Sequence, residues 1–326
     1  MVRVLTESDV ARAISMADAV RLVEEGLRRH AMGEAVVLPR LSLDLPGDGG
    51  AFRVMAASLP SMSAFGLKTL TGYPGRREPN ETYFVLLLFS GTKGALRAIM
   101  AARHLSGMRT GAATAVAAKY LARKDGSVLG LFSAGTQARY QVEGLLTVRP
   151  VRQIKVHDID GRKAEAFAEN LQKDFGVEAW ACSSPLDTVR GSDLVVTATT
   201  SREPAFRGEW LDSGTHASGI GSNSPAKQEL DALTFKRSKI VVDFREQVLA
   251  EAGDLMSALK AGVITQEDIH AELGEIVVGK KEGRCREEEI TLFKSVGTAV
   301  QDIATAAFVY EQAVGRGLGH ELSLES

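Results

Sequence analysis

The chain has 326 residues, enough for two domains that each bury a core. Apolar residues make up 44% and charged residues 25%, the balance of a globular protein, and the formal net charge is only −2. With no Lys/Arg-rich run, neither nucleic acid nor an anionic membrane surface is expected as a partner.

No apolar stretch approaches the ~20 residues that span a bilayer, and YFVLLLF (83–89) is far too short. The first residues, MVRVLTESDVARAI, lack the apolar core of a secretion signal, so a cytoplasmic setting is expected. Cys182 and Cys285 are far apart and read as free thiols. The six histidines form no HxxxH or HExxH pattern, so no metal site is expected.

The first clear helix is predicted after Ser15, with Asp18 as capping-box partner and Met16, Val20, Val23 and Leu27 at helical spacing. Gly33 is its expected stop. Strands follow at Val36–Leu45, Ala51–Ser58, Gly66–Gly72 and Thr82–Phe89. Turns at Pro46-Gly47-Asp48-Gly49-Gly50 and Tyr73-Pro74-Gly75 separate them. A helix rich in small residues, from about Thr110 to Leu121, closes this part.

From Ser127 short apolar strands alternate with amphipathic helices. The strands are SVLGLF (127–132), QIKVHD (153–158), VEAWA (177–181), DLVVTA (193–198), THASGI (215–220) and KIVVDF (239–244). Helices fill the gaps to about 147 and about 174, which implies βαβ units and a parallel, doubly wound sheet. A last long helix covers about Val296 to Ala313.

The segment Gly130-Leu-Phe-Ser133-Ala134-Gly135-Thr136-Gln137-Ala138 lies between a strand and a helix, where a dinucleotide loop belongs. It matches G-x-G-x-x-A except that Ser133 stands where the first glycine makes the tight turn. Gly135 keeps the position of close approach to pyrophosphate, which would rest on the helix N-terminus. Read alone, the loop is also compatible with a tight βα turn that binds nothing. Asp158 ends the second strand near the ~20-residue spacing expected of a ribose-binding acid. A carboxylate there favours NAD; Arg162 and Lys163 just beyond keep NADP open. The alternative for Asp158 is a turn or helix-cap residue.

Six segments, in order, resemble the ornithine cyclodeaminase/μ-crystallin family along nearly the whole chain. They are Gly66-Leu-Lys68, Arg109-Thr110-Gly111-Ala112, Gly135-Thr-Gln137-Ala138, Gly214-Thr-His216, Gly221-Ser-Asn223-Ser-Pro-Ala-Lys227-Gln-Glu229-Leu230 and Thr291-Leu-Phe-Lys294-Ser295-Val-Gly297. The resemblance implies an α/β fold with two parts. Residues 1–122 would form an α+β substrate-binding and dimerisation domain, and residues 123–295 a Rossmann NAD(P)-binding domain. The C-terminal helix, 296–320, would return to the first. A homodimer is likewise implied.

The resemblance also suggests roles. Arg109 would grip a substrate α-carboxylate, for which a planar guanidinium is the best side chain, and Arg40 would be a second arginine there. Lys68, in the otherwise apolar FGLKTL, either points to solvent or serves something inside. By resemblance it faces substrate, and partial desolvation beside arginines would let it relay a proton. Thr82, Gly135, Thr136, Gln137, Asp158, Thr199, Gly221, Ser222, Lys227 and Ser295 match cofactor-side positions. His216 is either near that pocket or a satisfied buried histidine. The charged run 280–290 (KKEGRCREEEI) reads as a solvated loop.

Asn223 is a departure: ornithine cyclodeaminases carry an aspartate there as the base for ring closure. An amide cannot accept that proton at neutral pH. Three functions follow as expectations. The first is an NAD(P)H-dependent imine reductase or amino-acid dehydrogenase, with a cyclic ketimine carboxylate such as pyrroline-2-carboxylate as substrate. The second is an ornithine-type cyclodeaminase using NAD catalytically. The third is a μ-crystallin-like binding protein.

Overall fold

The computed structural model describes residues 1–45, 50–72 and 82–324. Both turns expected at 46–50 and 73–75 fall outside those residues, apart from Gly50. The chain divides into two compact units, residues 1–109 with 298–326 and residues 110–297. The division falls inside a long helix, where a boundary after residue 122 was expected.

Elements follow in chain order: β1 (Val2–Leu5), α1 (Glu7–Ala13), α2 (Met16–Ala31), β2 (Val36–Val37), β3 (Leu41–Leu45) and β4 (Gly50–Leu59). Next come β5 (Ala64–Gly72), β6 (Tyr83–Ser90), β7 (Leu96–Ala101) and α3 (Arg103–Leu121). The nucleotide-fold segment holds β8 (Val128–Phe132), α4 (Thr136–Leu146), β9 (Gln153–His157), α5 (Gly161–Phe175), β10 (Glu178–Ala181), α6 (Pro185–Val189), β11 (Leu194–Thr197) and β12 (His216–Gly219). It continues with α7 (Ala232–Arg237), β13 (Lys239–Val242), α8 (Arg245–Glu251), α9 (Gly253–Lys260), β14 (Ile269–Glu272), α10 (Leu273–Val277) and β15 (Thr291–Lys294). The chain closes with α11 (Ala299–Gly315) and β16 (His320–Leu322).

In the first unit the sheet runs β16-β1-β7-β6-β5-β4-β2, with β3 also paired to β4. The expected Ser15/Asp18 capping box is present on α2, and Gly33 follows it at φ 74°. An earlier helix, α1, was missed; Thr6 and Asp9 form its own capping box. The single strand expected at Val36–Leu45 is split around Pro39, which has no N–H for the ladder, so Arg40 sits in the break between β2 and β3. Helix α11 packs on α2, β4 and β5. A Cβ on Gly26 of α2 would meet Cβ of Ala304 at 3.2 Å, so glycine and alanine let these two helices touch.

The second unit is a parallel sheet in the order β10-β9-β8-β11-β12-β15-β13-β14. Strand order reverses between β8 and β11, the place where open α/β sheets bind ligands. The central strands β8, β11 and β13 are buried on both faces, which is why they read as apolar runs without alternation. Strand β15 inserts between β12 and β13, out of chain order.

Within this unit α3 and α4 meet backbone to backbone. A Cβ on Gly111 would lie 2.1 Å from the Tyr140 carbonyl oxygen, and one on Gly144 would lie 2.4 Å from the Gly111 carbonyl oxygen. No rotamer relieves a clash with a backbone atom, so the helices would have to separate. Gly111→Ala is therefore expected to destabilise the protein by about 2 kcal/mol, after the ~1 kcal/mol gained in helix propensity. Thermal unfolding checks this; an unchanged or raised midpoint would refute the close contact.

Candidate active site

Strand β5 places Lys68 on the inward face of its sheet together with Ala64 and Gly66, while Phe65, Leu67 and Thr69 take the other face. Phe65 and Leu67 of FGLKTL therefore belong to the opposite side of the strand, and Lys68 points in on the face it shares with Leu70. It is 1% exposed. Its ammonium donates to Asp302 Oδ1 at 2.7 Å and to Ser106 Oγ at 3.2 Å.

Arg109, near the middle of α3, enters the same cluster. Its Nε lies 3.0 Å from the same Asp302 oxygen, Nη1 donates to Gln301 Oε1 at 3.1 Å, and Nη2 reaches Ser106 Oγ at 3.5 Å. Asp302 and Gln301 are fully buried on the first turn of α11. Among the described residues, Asp302 Oδ2 and Gln301 Nε2 have no hydrogen-bond partner. These two residues were missed from the sequence. The signal was there: an adjacent amide and carboxylate in an otherwise small and apolar helix, the counterpart of a lysine in an apolar strand.

Burial holds the Lys68 pKa down at about 7, followed by repulsion from Arg109; Asp302 opposes both, and Arg40 adds a smaller repulsion. Among the described residues, Lys68 and Arg109 thus share the Asp302 carboxylate, with Arg40 near enough for its charge to reach Lys68. A lysine tuned near neutrality is suited to proton transfer. Thr82 lies beside Gly72, just beyond the Thr71–Tyr83 end of the β5–β6 ladder, in which Lys68 pairs with Leu86.

In the second unit, the loop after β8 leads into α4 with Gly135 as its N-cap. Ser133 adopts φ 111°, the conformation for which glycine is usual, at a strain of roughly 1–3 kcal/mol. Its hydroxyl accepts from Gly135 N–H at 3.1 Å, and its own N–H donates to His157 O at 2.9 Å. Serine therefore makes the turn that the fingerprint assigns to glycine. Gly135 and Thr136 are exposed at the helix start, where free N–H groups favour an anion. Gln137 Oε1 is buried and, among the described residues, has no partner. Asp158 accepts from Ala134 N–H at 2.8 Å, which ties the end of β9 to this loop.

The loops after β11 and β12 are joined by Glu229, a third residue whose role was missed. Its fully buried carboxylate accepts from Thr199 N–H and Gly221 N–H at 2.5 Å each and from Ser222 N–H at 3.1 Å. A Cβ on Gly221 would sit 2.0 Å from Thr199 O, so only glycine allows this approach. Asn223 Oδ1 accepts from Lys227 Nζ at 3.0 Å. The hydroxyls of Ser222 and Ser295, two of the expected cofactor-side residues, turn inward. Ser222 donates to Lys227 O at 2.8 Å, and Ser295 donates to Asp243 Oδ2 at 2.7 Å.

His216 is a satisfied core residue. Thr291 Oγ1 donates to Leu121 O, so His216 Nδ1 must donate to Thr291 at 2.9 Å, leaving Nε2 to accept from Ser218. Burial, then the Arg284 and Arg149 charges, push its pKa down to about 3. The 280–290 run is not simply solvated either: half-buried Arg284 donates to the carbonyls of Leu121, Gly214 and Glu289.

Lys68 also has a stability consequence. Between about pH 7 and 10.5 the unfolded chain holds a proton there that the folded chain has shed. The residue costs most stability below about pH 7, and the cost fades as pH rises toward 10.5. Lys68→Met should therefore raise the thermal midpoint at neutral pH and change it little at about pH 10. A lower midpoint at neutral pH would mean that the ion pair outweighs the burial.

Comparison with known proteins follows the same lines. Residues 2–317 match the model of the ornithine cyclodeaminase/mu-crystallin family. The chain is 39% identical over 321 residues to an alanine dehydrogenase of Archaeoglobus fulgidus, covering 98% of this chain and 97% of that one. The structure of Thermococcus litoralis Delta(1)-pyrroline-2-carboxylate reductase in complex with NADH and L-proline matches with a TM-score of 0.95 at 38% identity, over 98% of this chain and 100% of that one. An archaeal alanine dehydrogenase dimer with bound NAD gives 0.93 at 38% identity, over 99% of each chain. With its matching segments in order and its fold shared end to end, the chain belongs to the ornithine cyclodeaminase/mu-crystallin family.

Proposed function

We propose that this protein is an NAD(P)H-dependent imine reductase, or in reverse an amino-acid dehydrogenase, for a small imino acid. The observation that carries the reading is the buried Lys68, tuned to about pH 7 beside a carboxylate-binding arginine. Arg109, with Arg40, holds the substrate carboxylate in a cluster already rich in positive charge. Lys68 donates its proton to the imine nitrogen as the α-carbon is reduced, and in the reverse direction takes it back. The preferred substrate is a cyclic five- or six-membered ketimine carboxylate such as pyrroline-2-carboxylate. Relatives named as a pyrroline-2-carboxylate reductase and an alanine dehydrogenase support the class.

The residues of the second unit fit a dinucleotide. Gly135, Thr136 and Gln137 offer an exposed helix start and an unpartnered buried amide oxygen, and Asp158 suits a ribose with free hydroxyls. Thr199, Gly221 and Lys227 lie on loops at the carboxyl ends of β11 and β12, which suits the nicotinamide half. The nicotinamide supplies or accepts the hydride when bound. Asn223, already accepting from Lys227, offers no base for ring closure, which disfavours the cyclodeaminase alternative.

We further propose a homodimer in a reducing cytoplasm. Val36, Leu38, Leu41 and Leu43 are all more than half exposed on adjoining β2 and β3, an apolar edge that suits a second copy. The dimeric alanine dehydrogenase and the two free cysteines support this. Light scattering should return twice the chain mass; a monomer would count against it.

Activity is tested by following NADH and NADPH with pyrroline-2-carboxylate, piperideine-2-carboxylate and pyruvate plus ammonia. Stoichiometric NADH loss with one imine is expected, faster than with NADPH. The rate constant kcat/KM should fall as pH rises past about 7, and Lys68→Ala should lower kcat by about 100-fold or more. Ammonia and proline from L-ornithine without net NADH formation would show the cyclodeaminase instead.

A further inference from the structure

We propose that Asp302 is a positioning residue for this reaction: one of its carboxylate oxygens fixes the proton donor Lys68 and the carboxylate-binding Arg109 relative to each other. The inference rests on the reductase reading above and adds to it a residue outside the expected set.

The geometry is specific. Oδ1 of Asp302 accepts from the ammonium of Lys68 at 2.7 Å and forms an ion pair with Arg109, whose Nε lies 3.0 Å away. Two cations that repel each other are thereby held on one atom. Asp302 comes from α11, Lys68 from β5 and Arg109 from α3, so a single side chain ties three elements of the first unit together. Its neighbour Gln301 reinforces the arrangement by accepting from Arg109 Nη1 at 3.1 Å, which leaves the Nη2 side of the guanidinium facing Ser106.

Charge supports the same conclusion. Among the described residues, the charged groups that act on Lys68 are Arg109 on α3, Arg40 between β2 and β3, and Asp302 on α11. Of these only Asp302 favours the ammonium. Without its carboxylate, burial and two guanidinium charges would all act in one direction and strip the proton that reduction needs. The second oxygen, Oδ2, is fully buried and has no hydrogen-bond partner among the described residues. Such an oxygen is costly to leave unpaired in a core, so this carboxylate is retained against a stability cost.

The test combines NMR with kinetics. The Lys68 side-chain signals of the free protein, with selectively labelled lysine, would be titrated in wild type, Asp302→Asn and Arg109→Gln. Wild type should titrate near 7. Asp302→Asn should titrate lower by at least about 1, and Arg109→Gln higher, because one loses an attraction and the other a repulsion. In steady-state assays Asp302→Asn should lose about 100-fold in kcat/KM at pH 7 and regain part of it at lower pH, with KM raised as well. Should the variant not fold, the Asp302 carboxyl carbon signal in wild type must still show an inflection at the Lys68 pKa. An unchanged Lys68 titration in Asp302→Asn, or no inflection in wild type, overturns the proposal. Shifted titrations in a protein that reduces no imine would instead leave the electrostatic link intact and overturn the reductase reading.

Discussion

A lysine and an arginine share one carboxylate oxygen in the core of the first unit, buried from bulk solvent. Burying two cations is expensive, and a single anion offsets only part of that cost. The surrounding structure is arranged to tolerate the remainder. Helix α11 brings Asp302 in on one face, while Ala304, nearly opposite it on the helix, lies close enough to α2 for glycine–alanine contact. Strand β5 turns its lysine inward and its aromatic residue outward, where Phe65 stacks on Phe89 at 5.2 Å. The positive charge left over is a liability in an empty protein and an asset for one whose ligand is an anion.

Buried carboxylates recur in the second unit with a different task. Glu229 gathers the N–H groups of Thr199, Gly221 and Ser222. Asp243 does the same for Val296 and Gly297 while holding the Ser295 hydroxyl. Asp193 accepts from Ser127 and Val128 N–H at the opposite ends of the strands. Parallel strands end with unpaired backbone donors, and a carboxylate satisfies several at once with strong hydrogen bonds. The ligand-facing loops of this sheet are thus rigid because of residues that need never touch a ligand.

Much of this could be read from the residues alone. Alternation of short apolar runs with helical periods located β8 to β13, most plainly at β8, β11 and β13, whose burial on both faces makes them apolar throughout. Lys68 stood out as a charge amid apolar neighbours, and Arg109 through its matching segment. What escaped was whatever depends on partners distant in sequence. Four-residue strands such as β14 and β15 carry no period, and their pairing comes from neighbours far along the chain. Asp302 resembles any helical aspartate until Lys68 and Arg109 are placed beside it. Ser222 and Ser295 match family positions, yet the direction of a hydroxyl is decided by Lys227 O and Asp243, not by local sequence. Ser133 shows the opposite lesson: a departure from the glycine pattern changed the residue without changing the backbone.

The first unit is assembled from the two ends of the chain. Lys68 and its carboxylate are 234 positions apart. On the ribosome, the sheet that bears Lys68 and the helix that bears Arg109 emerge long before α11 exists. Until the last thirty or so residues are made, at about 5–20 residues per second, those cations have no Asp302 to receive them. The second unit, whose residues are contiguous, has every segment it needs before that moment. Synthesis therefore imposes an order in which the nucleotide fold is complete first and the charged core is closed by the final helix, so loss of the C-terminus would leave the earliest-made segment as the one unable to finish.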